Sequence, residues 1–242
     1  MMDVIQDLHV SGNKKAAGGV FKKIHVSGMC TMTDLVTSAN ICISGIAKFQ
    51  KIKTEDLHVS GMLTANDDVL ATKTHISGKV TIKKELKSDD LKISGMLDCE
   101  SLKAEQIHVS GYLRVNDVIE AEHLNVSGRL KNKNLMTLGT LNLEASEGSQ
   151  LHDIEAEQIT IKRDKSSIFK SNLNIINIFS KKKNDVIANN LEADKIEIED
   201  VSAMLVRGGH VVIGPNCEVD CVQYHHTVSI DESAKVKSVN QI

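Results

Sequence analysis

The pair Ser-Gly closes a short apolar segment eight times, at Gly12, Gly28, Gly45, Gly61, Gly78, Gly95, Gly111 and Gly128. Successive glycines stand 16 or 17 residues apart, well below the periods of helical repeat proteins. Each copy reads apolar, polar, apolar, Ser, Gly, as in Leu8-His9-Val10-Ser11-Gly12, Ile24-His25-Val26-Ser27-Gly28 and Ile107-His108-Val109-Ser110-Gly111. Such alternation predicts a strand with one buried face.

Two positions after the glycine comes Cys30, Ala47, Leu63, Val80, Leu97, Leu113 or Leu130, and two further on Met32, Phe49, Ala65, Ile82, Cys99 or Val115. This is a second strand. A third apolar position falls at Leu35, Ile52, Val69, Leu86, Leu102, Val118 and Leu135. Seven residues before the glycine the side chain is small: Ser38, Thr54, Ala71, Ser88, Ala104, Ala121. Three short strands and three corners fill each unit, with the small residue expected at an inward corner and the glycine at a corner needing positive φ. One unit alone buries nothing, whereas stacked units cover one another, so the expected fold is an all-β, single-stranded parallel β-solenoid.

Beyond Gly128 the apolar pair alone marks the rungs: Leu141-Asn142-Leu143, Ile159-Thr160-Ile161, Ile176-Asn177-Ile178, Ile196-Glu197-Ile198, Val211-Val212-Ile213 and Val228-Ser229-Ile230. About 14 rungs of 16 or 17 residues, stacked at about 4.8 Å, predict a rod roughly 65 Å long. No Pro-rich or Gly-rich linker interrupts the chain. It reads as one domain: residues 1–7 a cap or edge, 8–163 regular rungs, 164–190 less regular rungs with loops, and 191–242 the C-terminal rungs and tail. With four Phe, two Tyr and no Trp, the core must be aliphatic, which suits many equivalent small slots.

Charge narrows the function classes. The net charge of −3 offers no basic field, so no nucleic-acid partner is expected. No apolar run reaches a membrane-spanning length, and Met1 to Val10 lacks the layout of a signal peptide, which points to the cytoplasm. Five cysteines, odd in number and without a C-x-x-C pair, fit reduced thiols, Cys217 and Cys221 included.

The apolar-x-apolar-Ser-Gly units from Leu8 to Gly128, followed by the segment Leu191 to Ile198 and the rungs to Ile230, resemble the bactofilins, the polymer-forming cytoskeletal proteins of bacteria. The resemblance covers most of the chain and rests on the period and the Gly-terminated segments. It implies a right-handed β-helix of triangular section and a non-enzymatic scaffold that recruits other proteins in cell shape, motility or polar organisation, at the inner face of the membrane through partners. Typical members have a shorter helix flanked by disordered tails, and some carry an apolar N-terminal stretch that engages membrane. Here the first repeat begins at Leu8, so direct membrane binding is not expected. Members also often end near a C-terminal phenylalanine used in assembly; here Val239 and Ile242 are the nearest apolar residues.

Assembly is expected end to end and without nucleotide, since a solenoid without polar caps leaves open edges and no phosphate-binding loop is present. The candidate polymer interface is Val4, Ile5, Leu8 and Val10 at one end and Val228, Ile230, Val236, Val239 and Ile242 at the other.

Residues that could carry chemistry read as structural. His9, His25, Cys42, His58, His75, Lys92, His108 and Asn125 form an outward column, but a column offers a metal two ligands where zinc needs about four. Eight equivalent serines, Ser11 to Ser127, argue for turn hydrogen bonds rather than a nucleophile. His225-His226 reads as a corner and Lys181-Lys182-Lys183 as a solvated loop. No catalytic, cofactor or metal site is expected. The alternative is an acyl- or nucleotidyl-transferase on a left-handed hexapeptide helix, which asks for 18 residues per turn, a period that only Ile213-Gly214-Pro215-Asn216 resembles locally. A carbohydrate-active enzyme on a right-handed helix would need long loops and paired carboxylates, for which the repeats before Gly128 leave no room.

Overall fold

Inward apolar and outward polar side chains alternate along nearly every segment, and a backbone so patterned is extended. A computed structural model, which describes residues 6–145, 148–163 and 186–242, is all β among those residues, with no helix. Strand residues pair in parallel with their equivalents on the next turn, making a β-solenoid of about 12 turns among the described residues. Two compact units, Met1–Glu122 and His123–Ile242, are distinguished.

The strands of the first unit are β1 (Leu8–Val10), β2 (Asn13–Ala16), β3 (Gly19–Val26), β4 (Met29–Ile43), β5 (Ile46–Val59), β6 (Met62–Ala65), β7 (Val69–Ile76), β8 (Lys79–Ile93), β9 (Met96–Val109) and β10 (Tyr112–Val115), followed by β11 (Ile119–Val126). Its core is a set of inward columns. Ile24, Ile41 and Leu57 are in register, as are Val26, Ile43, Val59 and Ile76, and Cys30, Ala47, Leu63 and Val80. All of these are buried.

The third apolar column differs from expectation at three places. Val36, Ile119 and Met136 are fully buried, while Leu35 is 46% exposed and Val118 and Leu135 are only half-buried. The cause is where the longer units hold their extra residue. The register shifts between Met32 and Leu35 and again between Ile82 and Glu85, so the corner after the second strand absorbs it and the phase is kept by counting back from the next glycine.

The Ser-Gly corner is built differently from expectation too. Among the described glycines only Gly19 and Gly148 have positive φ, so the repeat glycines do not serve a left-handed backbone. They serve close approach. A Cβ on Gly61 would lie 2.1 Å from the Gly45 carbonyl oxygen and 2.4 Å from that of Ser44. Such proximity lets Ser60 and Gly61 donate both their N–H groups to the Ile43 carbonyl, at 2.9 and 3.0 Å, while Met62 donates to the Gly45 carbonyl at 2.9 Å. The N–H groups of the corner are thus satisfied by the turn beneath it.

At the small-residue corner the buried hydroxyls satisfy backbone acceptors. Ser38 Oγ lies 3.0 Å from the Asn40 carbonyl and Thr54 Oγ1 3.1 Å from that of Asp56. Thr74, a buried polar residue in an otherwise aliphatic column, meets Ser88 Oγ at 3.0 Å. Ser88→Ala is therefore expected to cost about 1–2 kcal/mol by leaving Thr74 short of a partner. Adding Thr74→Val should recover most of that loss in urea titrations, since an apolar pair of similar shape leaves nothing unsatisfied.

The second unit continues with β12 (Arg129–Asn132), β13 (Leu135–Ala145), β14 (Ser149–Gln150), β15 (Asp153–Arg163), β16 (Val186–Ile198), β17 (Val201–Ile213), β18 (Glu218–Ile230) and β19 (Lys235–Gln241). The rungs expected at Leu141, Ile159, Ile196, Val211 and Val228 pair in register in that order. Ile176-Asn177-Ile178 lies outside the described residues. Ile159 pairs directly with Ile196 and Ile161 with Ile198, so no rung separates β15 from β16, and the turns number fewer than the period alone predicts. Left-handed φ does occur in this unit, at Asp200 (55°) and Asn216 (57°), where no Ser-Gly pair shapes the corner.

Candidate functional site

The outward histidine column forms as expected: His9, His25, Cys42, His58, His75, Lys92 and His108 are in register, one per turn. Inward packing of the flanking residues, such as Leu57 and Val59, turns His58 to solvent. The His58 and His75 rings stack at 5.1 Å with an 18° interplanar angle, and those of His9 and His25 lie tilted at 6.2 Å. A parallel column carries Lys23, Asn40, Asp56, Lys73, Asp90 and Gln106. Between the two runs a shallow groove lined by Cys42, His58, His75, Asp56 and Asp90. Cys42 Sγ donates to Asn40 Oδ1 at 3.2 Å, and Lys92 Nζ pairs with Asp90 Oδ2 at 3.4 Å.

Among the described residues no group of three or more His, Cys, Asp and Glu side chains is placed to hold a metal ion. The acids at the corner after β6 are neutralised from the adjacent turns: Lys51 meets Asp68 at 2.9 Å and Lys84 meets Asp67 at 2.8 Å. The Lys84 ammonium holds the Asp67 carboxyl below the usual range. The serine hydroxyls point outward, and Ser27 Oγ donates to the Val10 carbonyl at 3.4 Å, a turn bond rather than a nucleophile's contact with a base. His225-His226 falls at a corner, as expected, and widens it by one residue into a bulge: Gly208 pairs with Tyr224 and His210 with Thr227, so two histidines oppose Gly209. The His226 ring stands 5.1 Å from that of His210. Lys181, Lys182 and Lys183 lie outside the described residues.

The cysteines are free thiols. Cys30, Cys99 and Cys217 are buried, while Cys42 and Cys221 are half-buried, so a thiol reagent is expected to modify these last two first. Burial pushes the Cys217 thiol up to about 11 and that of Cys99 higher still. A thiol whose folded value is raised leaves stability intact below its unfolded value and takes it away as pH rises toward the folded one. Between about pH 9 and 11, Cys217 alone should cost the fold about 3 kcal/mol. Cys217→Ala should reduce that alkaline slope in urea titrations, the buried Cys99 thiol keeping part of the rest, and an unchanged slope would assign it to other groups.

Of the candidate polymer residues, Val4 and Ile5 lie outside the described residues. Leu8 and Val10 are buried, Val228 and Val236 half-buried, and Ile230, Val239 and Ile242 exposed by 38%, 43% and 53%. The strand β19 is bonded along one edge to β18 through the pairs Val219↔Val236 and Val222↔Val239. One surface escaped the sequence reading. The residue directly after each glycine is outward, and there Met29, Ile46, Met62 and Met96 are 47%, 43%, 47% and 38% exposed. Its signal was present, since an outward position that is repeatedly apolar contradicts simple inside-outside patterning.

No family model matches the chain, and no solved structure matches it. It is similar to two uncharacterized proteins of Bacillus subtilis. YhbF is 29% identical over 109 residues, which are 45% of this chain and 42% of YhbF. YhbE is 36% identical over 52 residues, 22% of each chain. The chain therefore spans less than half the length of the curated relatives it matches.

Proposed function

We propose that the chain is a non-enzymatic scaffold of the bactofilin kind, which polymerises end to end without nucleotide and offers a repetitive outer surface to recruited proteins. The apolar exposure along β18 and β19 carries this reading: β19 is paired with β18, and Ile230, Val239 and Ile242 are exposed. A strand flanked by exposed apolar side chains suits strand addition, with backbone bonds giving affinity and the side chains adding burial. A right-handed, triangular section and a place in cell shape, motility or polar organisation belong to the same proposal, as does a cytoplasmic site reached at the membrane only through partners. The transferase alternative gains little support, because the first unit repeats every 16 or 17 residues and its corners carry no long loops.

Sedimentation velocity and negative-stain microscopy of the full chain test the reading. At micromolar protein, assemblies should lengthen with concentration and ignore added ATP or GTP. Val228→Lys with Ile230→Glu, and separately Val4→Lys with Ile5→Glu, should shorten them while leaving the β-type circular dichroism intact. A monodisperse monomer at every concentration and salt would overturn the scaffold and return the transferase to first place.

A further inference from the structure

We propose that the outer face bearing Met29, Ile46, Met62, Met96 and Tyr112 is a homotypic docking surface, on which a second copy of this chain lies antiparallel. This lateral contact goes beyond end-to-end polymerisation and does not depend on it. In the first unit the column runs Met29, Ile46, Met62, Lys79, Met96, Tyr112, in register from turn to turn. Four of its members are large apolar side chains between 38% and 47% exposed. Each strand segment buries the next residue and turns the one after it outward, so a second column follows on the same face: Thr31, Lys48, Thr64, Thr81, Asp98, Arg114. An exposed apolar stripe, interrupted by Lys79 and rimmed by polar residues, marks an interaction surface.

Charge complementarity points to a second copy as the occupant. A two-fold axis lying in the interface and running along the strands reverses the order of the turns yet keeps each column opposite itself. With that axis between Met62 and Lys79, Ile46 faces the second copy's Met96 and Met29 faces its Tyr112. Met62 meets the aliphatic stem of Lys79. Lys48 then faces Asp98, twice by symmetry. Asp98 is already held in place by Arg114, whose Nη1 donates to Asp98 Oδ2 at 3.1 Å and whose Nε donates to the Tyr112 hydroxyl at 3.0 Å. Sliding by one turn in one direction sets Lys15 against Arg114; sliding in the other sets Lys79 against Lys79 and Lys48 against Arg114. A parallel pairing places the charged column on the apolar one or Lys79 on itself. The turn spacing is the same in both copies, so the match persists along the stripe.

Six turns at about 4.8 Å and two columns in width bury roughly 400 Å² per copy, about half of a standard interface. An isolated pair should be weak, and a series of such faces along a polymer strong by avidity.

The test uses the full chain carrying Val228→Lys with Ile230→Glu, so that end-to-end growth does not mask a dimer. If the end-to-end reading is wrong, those changes are silent and the lateral contact is still measured. Sedimentation equilibrium at about 5–200 μM, the range a small interface calls for, should show a monomer–dimer equilibrium. Lys48→Asp should weaken it roughly tenfold or more through two like-charge contacts, and Lys48→Asp with Asp98→Lys should restore most of the loss. For orientation, in a Cys42→Ser, Cys221→Ser background, Ile46→Cys with Met96→Cys should yield oxidised covalent dimers. Ile46→Cys alone should not, because in antiparallel register the two copies of position 46 stand roughly 14 Å apart, beyond disulfide reach. A monomer throughout, a charge swap no tighter than Lys48→Asp, or equal cross-linking by Ile46→Cys alone would overturn the proposal.

Discussion

Gly61→Ala is expected to destabilise the fold by more than about 4 kcal/mol, whereas Gly12→Ala, in the same motif, should be neutral or stabilise by about 0.4–1 kcal/mol. The difference lies in what the new methyl meets. At Gly61 it would stand 2.1 Å from the Gly45 carbonyl oxygen and 2.6 Å from the Ser44 carbonyl carbon, all backbone. Those atoms cannot give way without lengthening the Met62 N–H bond to Gly45 and the paired Ser60 and Gly61 bonds to Ile43. At Gly12 nothing lies within 4 Å. Neither glycine has positive φ, so the alanine itself is unstrained and only the close approach separates the two sites. Urea midpoints for the two variants check this, and equal costs would refute the account of the Ser-Gly corner.

The second large effect is at Phe49. It is fully buried and stands in register between Met32 and Ala65. Phe49→Ala should cost about 3–5 kcal/mol, because parallel ladders on both sides keep the turns from collapsing into the void. Ala65→Leu by itself should also destabilise, by about 1–3 kcal/mol, through overpacking against the ring. In the Phe49→Ala background the same Ala65→Leu should stabilise, as the leucine fills space the ring has vacated. A reversal of sign in the double-mutant cycle identifies the two positions as sharing one slot. Additive losses would place the ring elsewhere.

Much of the first unit was legible beforehand. Ile24, Ile41 and Leu57, and Val26, Ile43, Val59 and Ile76, could be placed on inward columns from the alternation and the glycine phase alone, and the outward histidines followed from the same count. Leu35, Val118 and Leu135 were misplaced because corner length varies between units, and a period read forward from the glycine drifts by one residue where the extra residue sits. Short-range alternation says nothing about which partner a strand finds; that choice is non-local, and Ile159 finds Ile196. The apolar stripe at Met29, Ile46, Met62 and Met96 was overlooked for another reason: alternation marks inside and outside but not what the outside is for.

The parallel stack, the inward columns and the identity of the corners were readable from the residues alone, because all three follow from local periodicity repeated at constant spacing. Tertiary structure decided the rest. Whether a repeat glycine is needed for its φ or for its missing Cβ depends on how near the turn below comes, a distance of 2.1 Å at Gly61 that no local pattern encodes. The same holds for the bulge at His225-His226, the Thr74–Ser88 pair and the direct pairing of β15 with β16. Each is a contact between residues at least 14 apart, and such contacts are fixed by packing between turns rather than by propensity within one.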